Sequence, residues 1–465
     1  MTAIVNWIND YLYSYVLIIL LVLGGLYFTV RTRGAQVTML REQIRLTMEK
    51  PKDKTGVSSF QALMVSTASR VGTANIIGVS TALCLGGFGS VFWMWFIALV
   101  GCASAFVEST LAQIYKKKGP SGSYGGPAYY IETALGSRTL AVLFSLFLIF
   151  AYGFGFNMLA SYNLQSTFEA YSFYDPKVSP WIIGFILAAA VALCLFGGGR
   201  RILKVTGVLV PVMGGLYILV ALVISLIHLP MLPGVFGRIF REAFDFEAVF
   251  GGFGGSCVMY GIKRGLFSNE AGVGSAPNAS AAADVSHPVK QGLVQTLSVF
   301  IDTILVCSAT AFMCMCSGIE PTAEISGAPY VQMAIRATLG EIGPIFITVA
   351  MVLFAFTTLL GNLYYVDHTF GHLLGRTPSK RFRYAYYVIA SLVVLLGAGL
   401  SADLLWGVAD IAMGLMALIN IPVICILGKY AYRALADYRK KRKEGSPLDF
   451  HAADIHLPHK VDYWD

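Results

Sequence analysis

Residues 65–78 read VSTASRVGTANIIG. Arg70 stands in a run of small and apolar residues that otherwise suits lipid. A charge at bilayer depth is costly enough to mark a functional position with a partner to be found. Gly72, Thr73, Ala74, Asn75 and Gly78 follow it, so small residues, a hydroxyl and an amide fall at mid-depth on one segment. An unwound turn there exposes N–H and C=O groups that can bind a carboxylate and a cation, as discontinuous transporter helices do.

The rest of the 465-residue chain supports a membrane setting. Hydrophobic residues make up 56% and charged residues 13%, with a mean hydropathy of +0.67, which places the chain in the membrane class. The first apolar run, Tyr11 to Val30, is followed by Arg31 and Arg33 without a small-residue cleavage site, so it reads as a retained helix. Further runs of spanning length lie near 89–115, 140–168, 180–198, 205–229, 291–317, 343–374, 384–400 and 405–428, with glycine-interrupted candidates at 57–84 and 247–265. The expectation is an all-α integral membrane protein of about eleven transmembrane helices, with 138–171 as one long tilted helix.

Orientation follows from lysine and arginine placement. With the amino terminus outside and the carboxyl terminus cytoplasmic, Lys177, Arg238, Arg241 and Arg336 fall outside and Arg70 alone lies within the bilayer. The remaining basic residues, Lys263, Arg264 and Lys290 among them, fall inside. The net charge of +8 is then a topology signal and calls for no nucleic acid. The tail YRKKRKEG, 438–445, reads as a solvated inner-face anchor near anionic lipid.

A second interrupted stretch, FGGFGGSCVMYG at 250–261, opens the second half of the chain. Helices two to six and seven to eleven then form two five-helix units of opposite orientation, each begun by a glycine-broken helix. Paired breaks of this kind point to a transporter site between inverted repeats. The expected division is an amino-terminal helix and linker (1–56), a first repeat (57–230), a second repeat with its preceding external loop (231–430), and a basic tail (431–465).

Other chemistries find little support. No GxxxxGK[ST] motif offers an ATP engine, and GGFGG follows no strand. No Ser/His/Asp grouping converges, so the chain is not read as an enzyme. The eight cysteines read as small core residues without zinc spacing, and Asp367, His368 and His372 as a helix end near the interface. Glu108 and Asp302 are intramembrane acids able to neutralise Arg70, and Thr357 and Thr358 within FAFTTLLGN (354–362) offer adjacent hard hydroxyl oxygens.

The runs VGTANIIGVSTALCLGGFGSVFWMW (71–95), SYGGPAYYIETALG (123–136), RGLFSNEAGVGSAP (264–277) and HPVKQGLVQTLSVFIDT (287–303), with Glu108 between them, strongly resemble the sodium:alanine symporter family. The resemblance implies a leucine-transporter-like fold with one extra amino-terminal helix. It implies import of a small neutral amino acid coupled to sodium, at the plasma membrane, with no cofactor and with lipid as the surrounding partner; the oligomeric state stays open, a monomer included. It places substrate contacts at Gly72, Thr73, Ala74, Asn75, Asn157, Ala160, Gly254, Gly255, Ser256 and Asn362. It places sodium contacts at Ala68, Val71, Phe354, Thr357 and Thr358, while Arg70, Glu108 and Asp302 are read from the residues themselves as an intramembrane charge network. Arg70, Ala160 and Asn362 depart from the family's usual threonine, glutamine and tryptophan. The last two enlarge the pocket and add an amide, which suits a substrate larger or more polar than alanine, such as glutamine. Proton-coupled or ion-independent carriage, and amino-acid sensing, are the competing readings.

Overall fold

The computed structural model describes residues 2–51, 53, 56–119, 122–245 and 256–464. Among the described residues, seven helices are long and apolar enough to cross a membrane: Gly89–Ile114, Arg138–Ala170, Gly199–Ile227, Pro288–Met315, Ile342–Leu374, Lys380–Ala398 and Ala402–Glu444. Shorter apolar helical segments are Tyr15–Arg31, Thr73–Gly86 and Ser179–Leu195. The stretch from Arg138 to Ala170 is one span, as expected, with a π-helical section at Ile149–Gly155.

Two helices are broken in mid-course. The first runs Ser59–Arg70 and resumes as Ile77–Gly86. It starts at a capping box, in which the Ser58 hydroxyl accepts from the Gln61 N–H and the Gln61 carboxamide accepts from the Ser58 N–H. The second runs Cys257–Asn269 and resumes as the short Pro277–Ser280. The two lie side by side in opposite directions. Gly86 meets Cys257 and Tyr260, Gly78 meets Arg264, and Asn75 donates to Ser268 Oγ at 3.0 Å. Their inner ends meet where Val57 bridges Ala283.

This geometry moves the second break. Gly254 and Gly255 lie outside the described residues, and Ser256 caps the helix that follows, its hydroxyl accepting from the Met259 N–H. Thirteen helical residues then separate Ser256 from the real break at Glu270–Ala276, roughly 20 Å at 1.5 Å per residue. Ser256 therefore sits at the level of Gly86, at the end of the first broken helix, and not beside Gly72.

Two basic residues are also displaced from their expected side. Lys263 and Arg264 are buried and reach Asp410 at 3.1 and 3.5 Å. Asn9 and Tyr13, near the amino terminus, hold the same Asp410. Lys263 and Arg264 thus lie at the amino-terminal end of the bundle, opposite Lys290 and its partner Glu49. They are structural ion-pair members and carry no topology signal.

The tail is exposed in its basic part and packed beyond it. The last helix continues to Glu444, with Lys440 and Arg442–Gly445 exposed, while Tyr438 donates to Glu42 at 2.5 Å and Phe450, Ile455, Val461 and Trp464 are buried. Chain after Gly445 folds back onto the bundle, because four apolar side chains gain more by burial than by exposure.

Candidate functional site

The first break arises from one diverted hydrogen bond. Val71 N–H closes the last helical turn on Thr67 O at 2.7 Å, and the next donor, Gly72 N–H, goes instead to Asn75 Oδ1 at 2.8 Å. The Ala68 carbonyl thereby loses its helical partner, and the chain passes through an extended Gly72 into the 3₁₀ turn Thr73–Asn75. Glycine is needed there for space: a Cβ on Gly72 would collide with Thr358 Oγ1.

That collision point is informative. The Thr358 hydroxyl is buried and has no hydrogen-bond partner. Thr357 differs, since its hydroxyl donates to the carbonyls of Leu353 at 2.9 Å and Phe354 at 3.2 Å on its own helix. The geometry splits the expected pair: Thr358 faces the unwound turn, and Thr357 and the Phe354 carbonyl satisfy each other. Buried polar atoms without partners are rare enough to need an explanation. An unpartnered hydroxyl beside an unwound turn with a freed carbonyl offers hard oxygen donors of the kind a cation takes.

A second set of amides stands beside the break. Ser69 Oγ donates to Asn362 Oδ1 at 2.6 Å, and Asn362 Nδ2 donates to Asn157 Oδ1 at 2.9 Å. Asn157 Nδ2 is left without a partner. Asn163 Nδ2 donates to Thr73 Oγ1 at 3.0 Å, and its Oδ1 is unpaired. Ala160 is buried between them on the same helix and adds no polar atom. The structure so brings Thr73, Asn157 and Asn362 together, whereas Asn75 is committed elsewhere. Its amide donates to Asp302 Oδ1 at 2.7 Å.

Asp302 lies in the π-helical stretch Phe300–Cys307 and accepts from Ser268 at 2.5 Å and Thr303 at 2.8 Å besides Asn75. Such π segments recur at functional sites because the extra residue re-aims a side chain. Glu108 accepts from Asn420 at 2.8 Å and from the Gly272 N–H at 3.4 Å. Arg70 is buried, donating to Ser298 Oγ at 2.5 Å and Gln295 O at 3.5 Å. Glu108, Asp302 and Glu270 are buried as well. Among the described residues, however, no ion pair joins Arg70 to any of them, and its Nε and Nη2 are unpaired. The expected direct pairing of Arg70 with Asp302 or Glu108 is corrected: Asp302 accepts from Asn75, Ser268 and Thr303, and Glu108 from Asn420 and the Gly272 N–H.

Sequence reasoning missed Glu270, which is buried, accepts from Ser275 at 2.7 Å and has a left-handed φ of 52°. It opens the second break, whose Gly272 and Gly274 also have positive φ. The asparagine, glycine, serine and proline cluster in SNEAGVGSAP was the available signal. Asn163, Ser69 and Asn420 were missed because single polar residues in apolar helices show no partner in one dimension.

A cavity of about 660 Å³, lined by Val57, Gln61, Tyr124, Leu203, Tyr364 and His368 among others, opens where the first broken helix begins. Toward the amino-terminal end, aromatic rings pack together: Phe156 stacks on Phe267 at 4.6 Å, Phe267 lies tilted by Trp406 at 4.9 Å, and Arg264 lies over Trp406 at 4.2 Å. Among the described residues, no group of three His, Cys, Asp or Glu residues is placed to hold a metal. His372 instead meets Glu132 at 2.6 Å.

Apolar helices of spanning length, together with two helices broken in mid-course, fit a multi-pass membrane protein. The chain belongs to the sodium:alanine symporter family, which it matches over residues 1–452. It is 41% identical over 463 residues to the amino-acid carrier protein AlsT of Bacillus subtilis, covering 100% of this chain and 97% of that one. The probable sodium/glutamine symporter GlnT of the same organism is 40% identical, covering 99% and 95%. The sodium/alanine symporter AgcS of Methanococcus maripaludis is 36% identical, covering 95% and 98%. The crystal structure of MhsT in complex with L-phenylalanine shares the fold, with a TM-score of 0.57 at 14% identity over 82% of this chain and 92% of that one.

Proposed function

We propose that this protein is a sodium-coupled symporter that imports a neutral amino acid across the cytoplasmic membrane by alternating access. The observation that carries the reading is the unwound turn at Gly72, where the Ala68 carbonyl has lost its helical N–H and the unpaired Thr358 hydroxyl stands against Gly72. Sodium sits among the Ala68 and Val71 carbonyls and Thr358. Thr357 and the Phe354 carbonyl support it from the next turn. The substrate carboxylate meets the N–H groups of the Gly72–Asn75 turn, and Asn157, Asn163 and Asn362 read the rest of the molecule beside Ala160. Glu270–Ser275 takes the place first assigned to Gly254, Gly255 and Ser256. The two broken helices open inverted five-helix repeats in an eleven-crossing chain, the amino terminus outside, the domain limits being those given above.

Arg70 acts as a tethered cation for Asp302, Glu108 and Glu270, so one sodium suffices per cycle. Each such charge moving inward releases about 2.3 kcal/mol per 100 mV. The two unpaired amide groups, Asn157 Nδ2 and Asn163 Oδ1, favour a substrate more polar than alanine. Uptake of alanine, glycine and glutamine into proteoliposomes under a sodium gradient tests this. Strict preference for glycine defeats the enlarged pocket, and a coupling of two sodium ions per substrate defeats the tethered-cation role.

A second reading, proton coupling, is favoured by one observation: Glu108, Glu270 and Asp302 are buried carboxylates held by neutral donors, and membrane interiors do not tolerate unbalanced charge. Uptake driven by a proton gradient without sodium would replace the sodium reading with this one.

A further inference from the structure

The folded-back tail bears on the inner gate through a short chain of contacts. Trp464 Nε1 donates to the Gln113 carbonyl at 2.8 Å, and its ring lies 4.9 Å from the Lys116 ammonium, which also faces Tyr463 at 4.7 Å. The side chains of Gln113 and Lys116 both donate to the Ala283 carbonyl, at 2.9 and 3.1 Å. Ala283 bridges Val57, and Asp284 N–H donates to Val57 O at 2.9 Å. Val57 lines the open cavity and immediately precedes the first broken helix. One tail residue is therefore three contacts from the segment that must move for the inner side to close.

The tail grips the same region at two further points. Ser286 Oγ donates to Leu448 O at 2.7 Å, and Phe450 N–H donates to Ser286 O at 3.1 Å, with the Phe450 ring 4.9 Å from His287. Asp462 pairs with Lys117 at 3.3 Å and accepts from the Lys118 N–H at 3.3 Å. Those lysines begin the hairpin Lys117–Gly119 and Gly122–Tyr124, whose turnward residues line the cavity. The tail thus ties together the exit of the second broken helix and one wall of the vestibule. The strip of tail holding them is itself closed, Ala452 N–H donating to Trp464 O at 2.6 Å and Phe450 packing edge-on against Trp464.

We propose that Ser446–Trp464 is a strap that fixes the Ala283–His287 segment, so that the inner half of the first broken helix swings against a rigid partner at Val57. The inference rests on the alternating-access reading above but names a part outside the substrate and ion site. Without the strap, Ala283 loses the ring that covers its two donors, the Val57 pairing slackens, and the inner gate spends more time open. Local elements of this kind open at free energies far below global unfolding.

The test places a reporter cysteine at Leu203, which lines the cavity, in full-length protein in inside-out vesicles. A membrane-impermeant maleimide reads its accessibility. Trp464→Ala and a chain ending at Gly445 should each raise the labelling rate about fivefold and lower net sodium-driven uptake by a similar factor, a population shift of roughly 1 kcal/mol. Monodisperse elution in detergent establishes folding, and if the shortened chain fails it, Trp464→Ala alone decides. Unchanged labelling in a folded variant overturns the strap, whether uptake falls or not. Loss of uptake in the parent reporter protein itself would instead count against the symport reading.

Discussion

The two broken helices reach the same level of the bundle by different backbone physics. At the first, all non-glycine residues keep negative φ, Gly72 is extended, and the helix fails because the Asn75 carboxamide takes its next N–H. Its glycine supplies room for Thr358. At the second, Glu270, Gly272 and Gly274 adopt φ of 52°, 82° and 93°, so the chain turns because left-handed residues force it to. The first break is held open by side-chain chemistry that a ligand can exchange with, and the second is set into the backbone.

The sharpest way to break this contrast is to add one methyl group to each. Gly274→Ala meets both a left-handed φ and Phe144 at 2.7 Å. It should cost about 3 kcal/mol or more and remove most folded protein, read as monodisperse yield and Tm in detergent. Gly72→Ala should keep its yield within about twofold while uptake falls about 100-fold, because the displaced group, Thr358 Oγ1, can rotate at a cost near 3 kcal/mol in the bound state. A larger loss of folded protein in Gly72→Ala than in Gly274→Ala would reverse the comparison.

Within the first break, the two threonines separate further. Thr358→Ala should raise the sodium KM about tenfold, corresponding to roughly 1.4 kcal/mol. Thr357→Ala, whose hydroxyl is taken up by the Leu353 and Phe354 carbonyls of its own helix and by the Met213 sulfur, should change it less than about threefold. Sodium titrations of uptake at fixed substrate check both, and equal effects would restore the pair as joint ligands. At the far end of the second broken helix, Ser256→Ala should lower Tm by the loss of an N-cap, about 1 kcal/mol, and leave both KM values unchanged. A substrate KM that rises with Ser256→Ala would return that residue to the site.

The first break was legible because its cause is local: Gly72 and Asn75 are three residues apart, and the amide that diverts the hydrogen bond lies in the motif itself. The second was misplaced because glycine number was weighed above glycine setting. Four glycines at 251–255 precede a helix, whereas two at 272 and 274, flanked by Asn269, Ser275 and Pro277, end one. Lys263 and Arg264 were misassigned for a related reason, since counting basic residues assumes they face water, and Asp410, some 146 residues away from Arg264, removes that need.

The amino-acid sequence by itself determined the membrane class, the helical runs, the first break and the family, because hydropathy, lysine and arginine placement and short motifs are properties of neighbouring residues. Only the tertiary structure decided which threonine faces the break and which donors Asp302 and Glu108 take. It also decided that Ser69, Asn362 and Asn157 form one chain of polar side chains and that the chain after Gly445 packs back onto the bundle. Most of those facts depend on partners more than 100 positions apart, brought together by burial, where a polar atom must find a partner or be left conspicuously without one.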